Sequence, residues 1–355
     1  MKLLYITNGI SGGGGLERVL SIKASYFAEE FSYDVHIITL NDSQDTFYPF
    51  SPFITIHPIE VSRDWKYLFN YITKINKVVK EVQPDIISVC DDGLKGLYVP
   101  VWINKGKAKI IYERHASMML NGASWQKFWM RIGGYFYDQI VVLTNYNLSE
   151  WSSSNLTVIP NPVSFYPQES SSLKNHQIVC VGSLSYNKGY DLLIDAWSKI
   201  ASKNPSWSVH IYGKGDASTY QNTINQLGIQ EQITFHAPVQ NIESIYQQAS
   251  MLVLPSRSEG FGMVLIEAMA CGVPCIAFDC PCGPRDIIND GKNGFLVKPQ
   301  DTKELASKID FLINNPPLRK KMGTFAYHST QKYHITNIAS IWEKLFKELI
   351  ESCQY

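Results

Sequence analysis

The chain has 355 residues, enough for about two domains. Hydrophobic residues make up 45% and charged residues 18%, the balance of a soluble globular protein with material for two cores. The formal net charge is zero, so nothing in the bulk composition argues for a nucleic-acid partner. Seven cysteines, an odd number scattered in apolar runs, suit a reducing compartment better than a disulfide scaffold. Cys271, Cys275, Cys280 and Cys282 crowd together, but Cys-x3-Cys followed by Cys-x-Cys lacks zinc-finger spacing and no His lies nearby, so no metal is expected. The opening apolar run is too short for a signal peptide, and no stretch reaches the ~18 apolar residues of a membrane span. The expected location is cytoplasmic, with peripheral contact on the inner face of the cytoplasmic membrane as the further possibility.

Residues 3–7 form a short buried strand that runs into a loop with four consecutive glycines, Gly12, Gly13, Gly14 and Gly15. A helix over 16–30 follows. The arrangement resembles a dinucleotide fingerprint, but the spacing is not G-x-G-x-x-G, and no acid sits cleanly at the end of the next strand, 35–40. The loop is read instead as a place where a ligand approaches the backbone, with a surface turn as the plain alternative. A helix over 66–82, a strand over 85–90 and a strand over 108–112 come next. The last ends in Glu113-Arg114-His115, which puts His115 at the sheet edge where open α/β folds bind ligands. The segment 124–137 is rich in aromatics, with Lys127 and Arg131 between them. Core packing is the favoured reading and an amphipathic, membrane-touching helix the other. A strand over 139–143 closes this half, and residues 157–177 read as a linker.

The pattern then restarts, with strands over 178–181, 208–212, 233–236, 251–254 and 275–278, and helices over 191–203 and 263–270. A final amphipathic helix covers 338–350. Alternating arrays on both sides of a linker predict two doubly wound domains facing a cleft. The most informative stretch is 255–274. Glu259 lies on a loop, Gly260, Phe261 and Gly262 lead into the helix, and Glu267 sits about a turn and a half inside it. The free N–H groups of Gly262, Met263 and Val264 would form an anion-binding helix end. A carboxylate beside such an end makes sense for a ligand both anionic and rich in hydroxyls, as a nucleotide-sugar is.

Glu259 and Glu267, with seven residues between them in SEGFGMVLIEA, resemble the E-x7-E element of retaining GT-B glycosyltransferases of family GT4. The glycine loop at 11–15, the I-P-N-P linker, the G-x-L-x-x-x-K-G loop with Gly182, Lys188 and Gly189, then Gly213 and Gly272-Val-Pro274 fall in register with it. The resemblance implies a GT-B fold: a Rossmann-like acceptor domain over 1–162, a Rossmann-like nucleotide-sugar donor domain over 163–337, and a helix over 338–355 packing back on the first. Lys188 resembles the cation that neutralises the donor's diphosphate. Ser183 stands where the family usually has Arg, one cation fewer. Glu267 resembles the carboxylate on the ribose hydroxyls, Glu259 the one near the sugar's own hydroxyls, and His115 the His beside the reacting carbon. Backbone near Val239 would face the nucleobase.

The implied activity is a retaining, metal-independent transfer of a hexose or N-acetylhexosamine from a UDP-sugar, with no cofactor. The acceptor would be a glycan or a lipid-linked chain in cell-surface polysaccharide synthesis, the C-P-C-G-P-R loop at 280–285 being similar to the C-P-x-G-P element of such enzymes. Asp91-Asp92 comes nearest to a metal-binding D-x-D and reads better as a surface loop. An epimerase or hydrolase of the same fold, a dinucleotide-dependent oxidoreductase and a binding protein without catalysis stay open as alternatives.

Overall fold

The computed structural model describes residues 1–42, 46–117 and 124–352. The chain divides into two compact units, Met1–Ser164 with Tyr333–Tyr355, and Phe165–Lys332. The return to the first unit starts at Tyr333, earlier than the helix pattern indicates. There the outgoing and returning segments meet, with the Val163 N–H donating to the Tyr333 carbonyl at 2.9 Å. The closing helix runs Ile335–Glu351 behind a His334 cap. Residues 353–355 of the expected 338–355 helix lie outside the described residues.

The first unit holds seven parallel strands: β1 (Lys2–Thr7), β2 (Asp34–Leu40), β3 (Thr55–Ile59), β4 (Ile86–Cys90), β5 (Lys109–Glu113), β6 (Gln139–Val142) and β7 (Leu156–Val158). Their order is β3-β2-β1-β4-β5-β6-β7. The central strand β4, IISVC, is buried at every residue, as a parallel strand covered on both faces must be. The helix Gly15–Glu29 and the closing helix pack together on one face, where Leu20, Phe27, Trp342 and Phe346 share a core. The helix Tyr67–Val82 lies on the other, with Tyr71, Ile75 and Val79 in the second core of this unit.

The second unit has β8 (Gln177–Val181), β9 (Ser208–Tyr212), β10 (Ile233–His236), β11 (Met251–Leu254), β12 (Cys275–Phe278) and β13 (Gly294–Val297). Their order is β10-β9-β8-β11-β12-β13, all parallel. The strand order reverses between β1 and β4 in the first unit and between β8 and β11 in the second. Ligands of open α/β sheets bind outside the carboxyl ends of strands at such switch points.

Some expectations are corrected. Part of the predicted linker is the edge strand β7. The predicted helix over 191–203 is Tyr190–Ser198, followed by a separate 3-10 turn Ala201–Lys203. The aromatic segment forms the helix Ser124–Gly133 and a 3-10 turn Gly134–Phe136. Core packing does not describe it: Met130 is buried, but Trp125, Phe128, Trp129, Tyr135 and Phe136 are exposed. The spacing of apolar residues marked an amphipathic helix and left open which medium meets the apolar side. Among the described residues, no helix is long and apolar enough to cross a membrane.

Candidate active site

In the second unit, the loop after β8 and the loop after β11 flank the switch point, and side chains fasten them together. Lys188, on the first loop, meets Glu259, on the second, with Nζ 2.7 Å from Oε1. Two further ties fix this approach. The Arg257 N–H donates to the Asn187 carbonyl at 2.8 Å, and Asn187 Nδ2 donates to the Ser258 carbonyl at 2.8 Å. The Arg257 guanidinium also forms a two-pronged pair with Asp191, at 2.9 and 2.6 Å, and lies 3.8 Å from the centre of the Tyr186 ring. Hydrogen bonding from Arg257 holds the Asp191 carboxyl below its usual range. This Arg257–Asp191–Tyr186 clasp, which motif reading does not reveal, sets the two loops in register.

Glycine is required here by contact. A Cβ at Gly189 would lie 2.0 Å from the Pro255 carbonyl oxygen, and one at Gly213 would lie 1.8 Å from that of Gly182. Gly189 also has φ of 69°, a left-handed backbone that glycine adopts at little cost. Tyr190 donates its hydroxyl to the Gly182 carbonyl at 3.0 Å. The loops after β8 and β9 are thus stacked directly on each other, with the Leu184 N–H on the Lys214 carbonyl. Ser183 is exposed there, its hydroxyl 3.3 Å from that of Ser185. Val239 is half-buried on the loop after β10.

Gly262, with φ of 92°, turns the chain into the helix Met263–Ala270. The N–H groups of that first turn lack intrahelical carbonyls, and Met263 and Val264 are partly accessible while Phe261 and Gly262 are buried. Gly260 precedes them, half-buried. The 280–283 loop packs on this entry, since a Cβ at Gly283 would stand 1.8 Å from the Phe261 carbonyl oxygen. Glu267 is buried at 1% exposure, and Tyr246 donates its hydroxyl to Oε2 at 3.2 Å. The arrangement places a cation, a carboxylate and a helix start within one set of loops, a combination that can take up a phosphate and hold hydroxyls.

In the first unit, the space above the glycine loop is taken up by the protein's own acids. A Cβ at Gly12 or Gly14 would come within 2.6 or 2.5 Å of the Glu17 carboxylate, and one at Gly13 would meet Phe47 at 3.5 Å. Gly15 begins the helix. Asp42, just beyond β2, accepts the Ile10 and Ser11 N–H groups and the Ser11 hydroxyl. An acid is therefore present near the second strand's end, but it holds the loop's own backbone.

His115 follows β5. Its N–H donates to Asp92 Oδ1 at 3.0 Å, and Asp92 also pairs with the buried Arg114 at 3.2 Å. Asp91 pairs with Lys95 at 3.2 Å, so both members of the Asp91-Asp92 pair are engaged by cations. Beneath His115 lies Glu113, buried and paired with the equally buried Lys23. Burial opposes its ionisation, but Lys23 and His115 outweigh this and hold its carboxyl down at about 2.

The cysteines at 271, 275, 280 and 282 are buried thiols, and burial pushes those of Cys271, Cys275 and Cys280 up. They form no ligand cluster among the described residues, where the one group with clustered metal-ligand types is Cys90, Glu113 and His115.

Residues 13–165 match the family model for Glycosyltransferase Family 4, and residues 165–329 match that for Glycosyl transferases group 1. The chain is 29% identical to an uncharacterized glycosyltransferase of Haemophilus influenzae over 96% of its length and 99% of that protein. It is also 29% identical to the amylovoran biosynthesis glycosyltransferase AmsD of Erwinia amylovora, over 97% and 99%. Among solved structures, an S. aureus TarM mutant in complex with fondaparinux, α-GlcNAc-glycerol and UDP superposes with a TM-score of 0.84 at 15% identity, over 97% of this chain and 99% of that one. Anabaena HepE in complex with UDP gives 0.80 at 18%, over 98% and 100%. The two models adjoin at residue 165, at the border of the two units, and together take in both sheets. The fold is that of the GT-B enzymes, and the chain belongs to the family 4, group 1 glycosyltransferases.

Proposed function

We propose that the protein transfers a hexose or N-acetylhexosamine from a UDP-sugar, with retention and without a metal, to a glycan or lipid-linked acceptor of a surface polysaccharide. The observation that carries the reading is the Lys188–Glu259 pair at the β8/β11 switch point, beside the start of the Met263–Ala270 helix. The UDP complexes of TarM and HepE favour a uridine donor, and AmsD, named for amylovoran biosynthesis, favours a biosynthetic glycosyl transfer.

In this reading the second unit binds the donor and the first carries the acceptor side. Cleavage of the sugar–phosphate bond builds positive charge on the sugar and negative charge on the departing diphosphate. Lys188 and the N–H groups of Met263 and Val264 take the leaving charge, and fixed donors of this kind need little reorganisation. Lys188 is free to serve because its present partner, Glu259, turns to the sugar's hydroxyls when the diphosphate arrives. Glu267, aligned by Tyr246, holds the ribose, and the leaving phosphate takes the acceptor's proton on the same face. His115, at the edge of the first unit's sheet, is the histidine this reading assigns to the reaction. The exposed aromatics of the 124–136 segment support a peripheral membrane contact on the cytoplasmic side.

The test is transfer from a panel of UDP-hexoses and UDP-N-acetylhexosamines to lipid-linked glycans, with the anomeric configuration of the product read by NMR and chelator in a parallel arm. One UDP-sugar should give an α-linked product from its α-linked donor, unaffected by chelator. An inverted product would end the retaining assignment, and loss of activity restored by magnesium or manganese would end the metal-independent one.

A further inference from the structure

His115 does not stand alone in the first unit. Its Nε2 lies 3.4 Å from Glu113 Oε2, and the backbone on its other side is tied to Asp92. Glu113 is fixed from behind. Lys23, from the helix that follows the glycine loop, pairs with Oε2, and the Ser88 hydroxyl of β4 donates to Oε1 at 2.5 Å. The Lys23 ammonium in turn rests 4.2 Å from the centre of the Trp342 ring, on the closing helix, and 5.3 Å from that of Tyr5 on β1. Four separate parts of the chain therefore converge to immobilise one carboxylate next to one imidazole.

The same residues contain the Cys90–Glu113–His115 group, within 4.8 Å, but two features speak against a cation there. The Lys23 ammonium already occupies Glu113, and burial pushes the Cys90 thiol well up, which disfavours its thiolate. The cluster instead defines the state of the imidazole. An ionised carboxylate can only accept, so the ring nitrogen that faces it carries the hydrogen. Both ring nitrogens of His115 are buried without a hydrogen-bond partner, a costly condition for a polar atom unless a ligand supplies the bond, and of the two Nε2 has the Glu113 carboxylate within ion-pair distance.

We propose that Glu113 is a positioning residue for His115: with Lys23 and Ser88 behind it, it keeps the hydrogen on Nε2 and leaves Nδ1 bare to accept a hydrogen bond from a substrate hydroxyl. The assignment deepens the glycosyl-transfer reading and rests on it for the identity of the substrate. It separates the two nitrogens by role, which the presence of a histidine alone does not do.

The test is long-range 1H–15N NMR of the His115 ring in the full-length protein, compared with Glu113→Gln and with the paired Lys23→Met/Glu113→Gln variant, which leaves no buried unpaired charge. Wild type should show hydrogen on Nε2 and a bare Nδ1. Both variants should lose that preference, with kcat down about tenfold to a hundredfold, as for other carboxylates that orient an imidazole, and with UDP affinity unchanged. Hydrogen on Nδ1 in the wild type, or the same tautomer in all three proteins, would overturn the proposal. The NMR readout needs no substrate, so a failure of the wider reading shows separately, as a wild type with the Nε2–H ring that transfers no sugar.

Discussion

Two lysine–glutamate pairs invite comparison. Lys188–Glu259 joins two loops in the second unit, with side-chain exposures of 21% and 9%. Lys23–Glu113 joins a helix to a strand end in the first unit, at 2% and 3%. The chemistry is the same and the surroundings are not. The outer pair keeps contact with solvent, so its members can exchange each other for a ligand at modest cost. The inner pair has no such exchange. Its charges are paired or uncompensated, and that makes it a fixed support. A motif search finds the first and passes over the second, although both stand beside the residues expected to react.

The comparison predicts its largest effect for the inner pair. Lys23→Ala should lower stability by about 3–5 kcal/mol, since it leaves a buried carboxylate without its cation. Lys188→Ala should cost less, about 1–3 kcal/mol, because Lys188 itself is only half-buried although Glu259 is buried. Urea denaturation of both variants measures the contrast, and equal losses would erase it. The inner pair also has a pH signature. The Glu113 carboxyl is lowered from 4.5 to about 2, so its stabilisation is complete above the unfolded value and is lost as pH falls through about 2. Lys23→Met should move the acid unfolding limb to higher pH.

For the reaction the ranking reverses. Lys188→Ala should reduce kcat by about a hundredfold to a thousandfold, the usual loss for one donor to a developing charge. Steady-state kinetics check this, and a rise in KM alone would show that Lys188 only binds. Arg257→Ala, which opens the clasp without touching the Lys188–Glu259 pair, should lower kcat by about tenfold, a smaller positioning effect. If Arg257→Ala matched Lys188→Ala, the guanidinium itself would be contacting the donor. The smallest stability effect belongs to Trp125→Ala with Phe128→Ala, whose exposed rings should change unfolding by less than about 0.5 kcal/mol. The same change should weaken co-sedimentation with anionic vesicles, and unaltered sedimentation would remove the membrane contact.

The sequence made the sheets and the E-x7-E stretch visible because both are local. Apolar runs such as MLVL and CIAF declare buried parallel strands, and Gly262 before Met263 declares a helix start. What it hid depends on distant partners. Lys23 and Glu113 stand 90 positions apart, and Arg257 and Asp191 stand 66 apart. Each looks like a surface charge until the fold joins them. Asp42 was hidden differently: it lies near the end of the second strand, where a ribose partner would be sought, yet it turns to the glycine loop's own N–H groups. The aromatic segment misled because helical spacing records amphipathicity and cannot say whether core, solvent or another surface meets the apolar side.

The central claim is that the second unit holds a UDP site built on Glu267 and Lys188. Isothermal titration of UDP into the wild type and Glu267→Ala tests it most directly, with NAD as the control ligand. The account predicts saturable UDP binding by the wild type and none of NAD. It predicts about tenfold or greater weakening in Glu267→Ala, as expected when a charged hydrogen-bond partner is lost, with its unfolding midpoint close to that of the wild type in the presence of neither ligand. Equal UDP affinity in the two proteins, or binding of NAD in place of UDP, would contradict it.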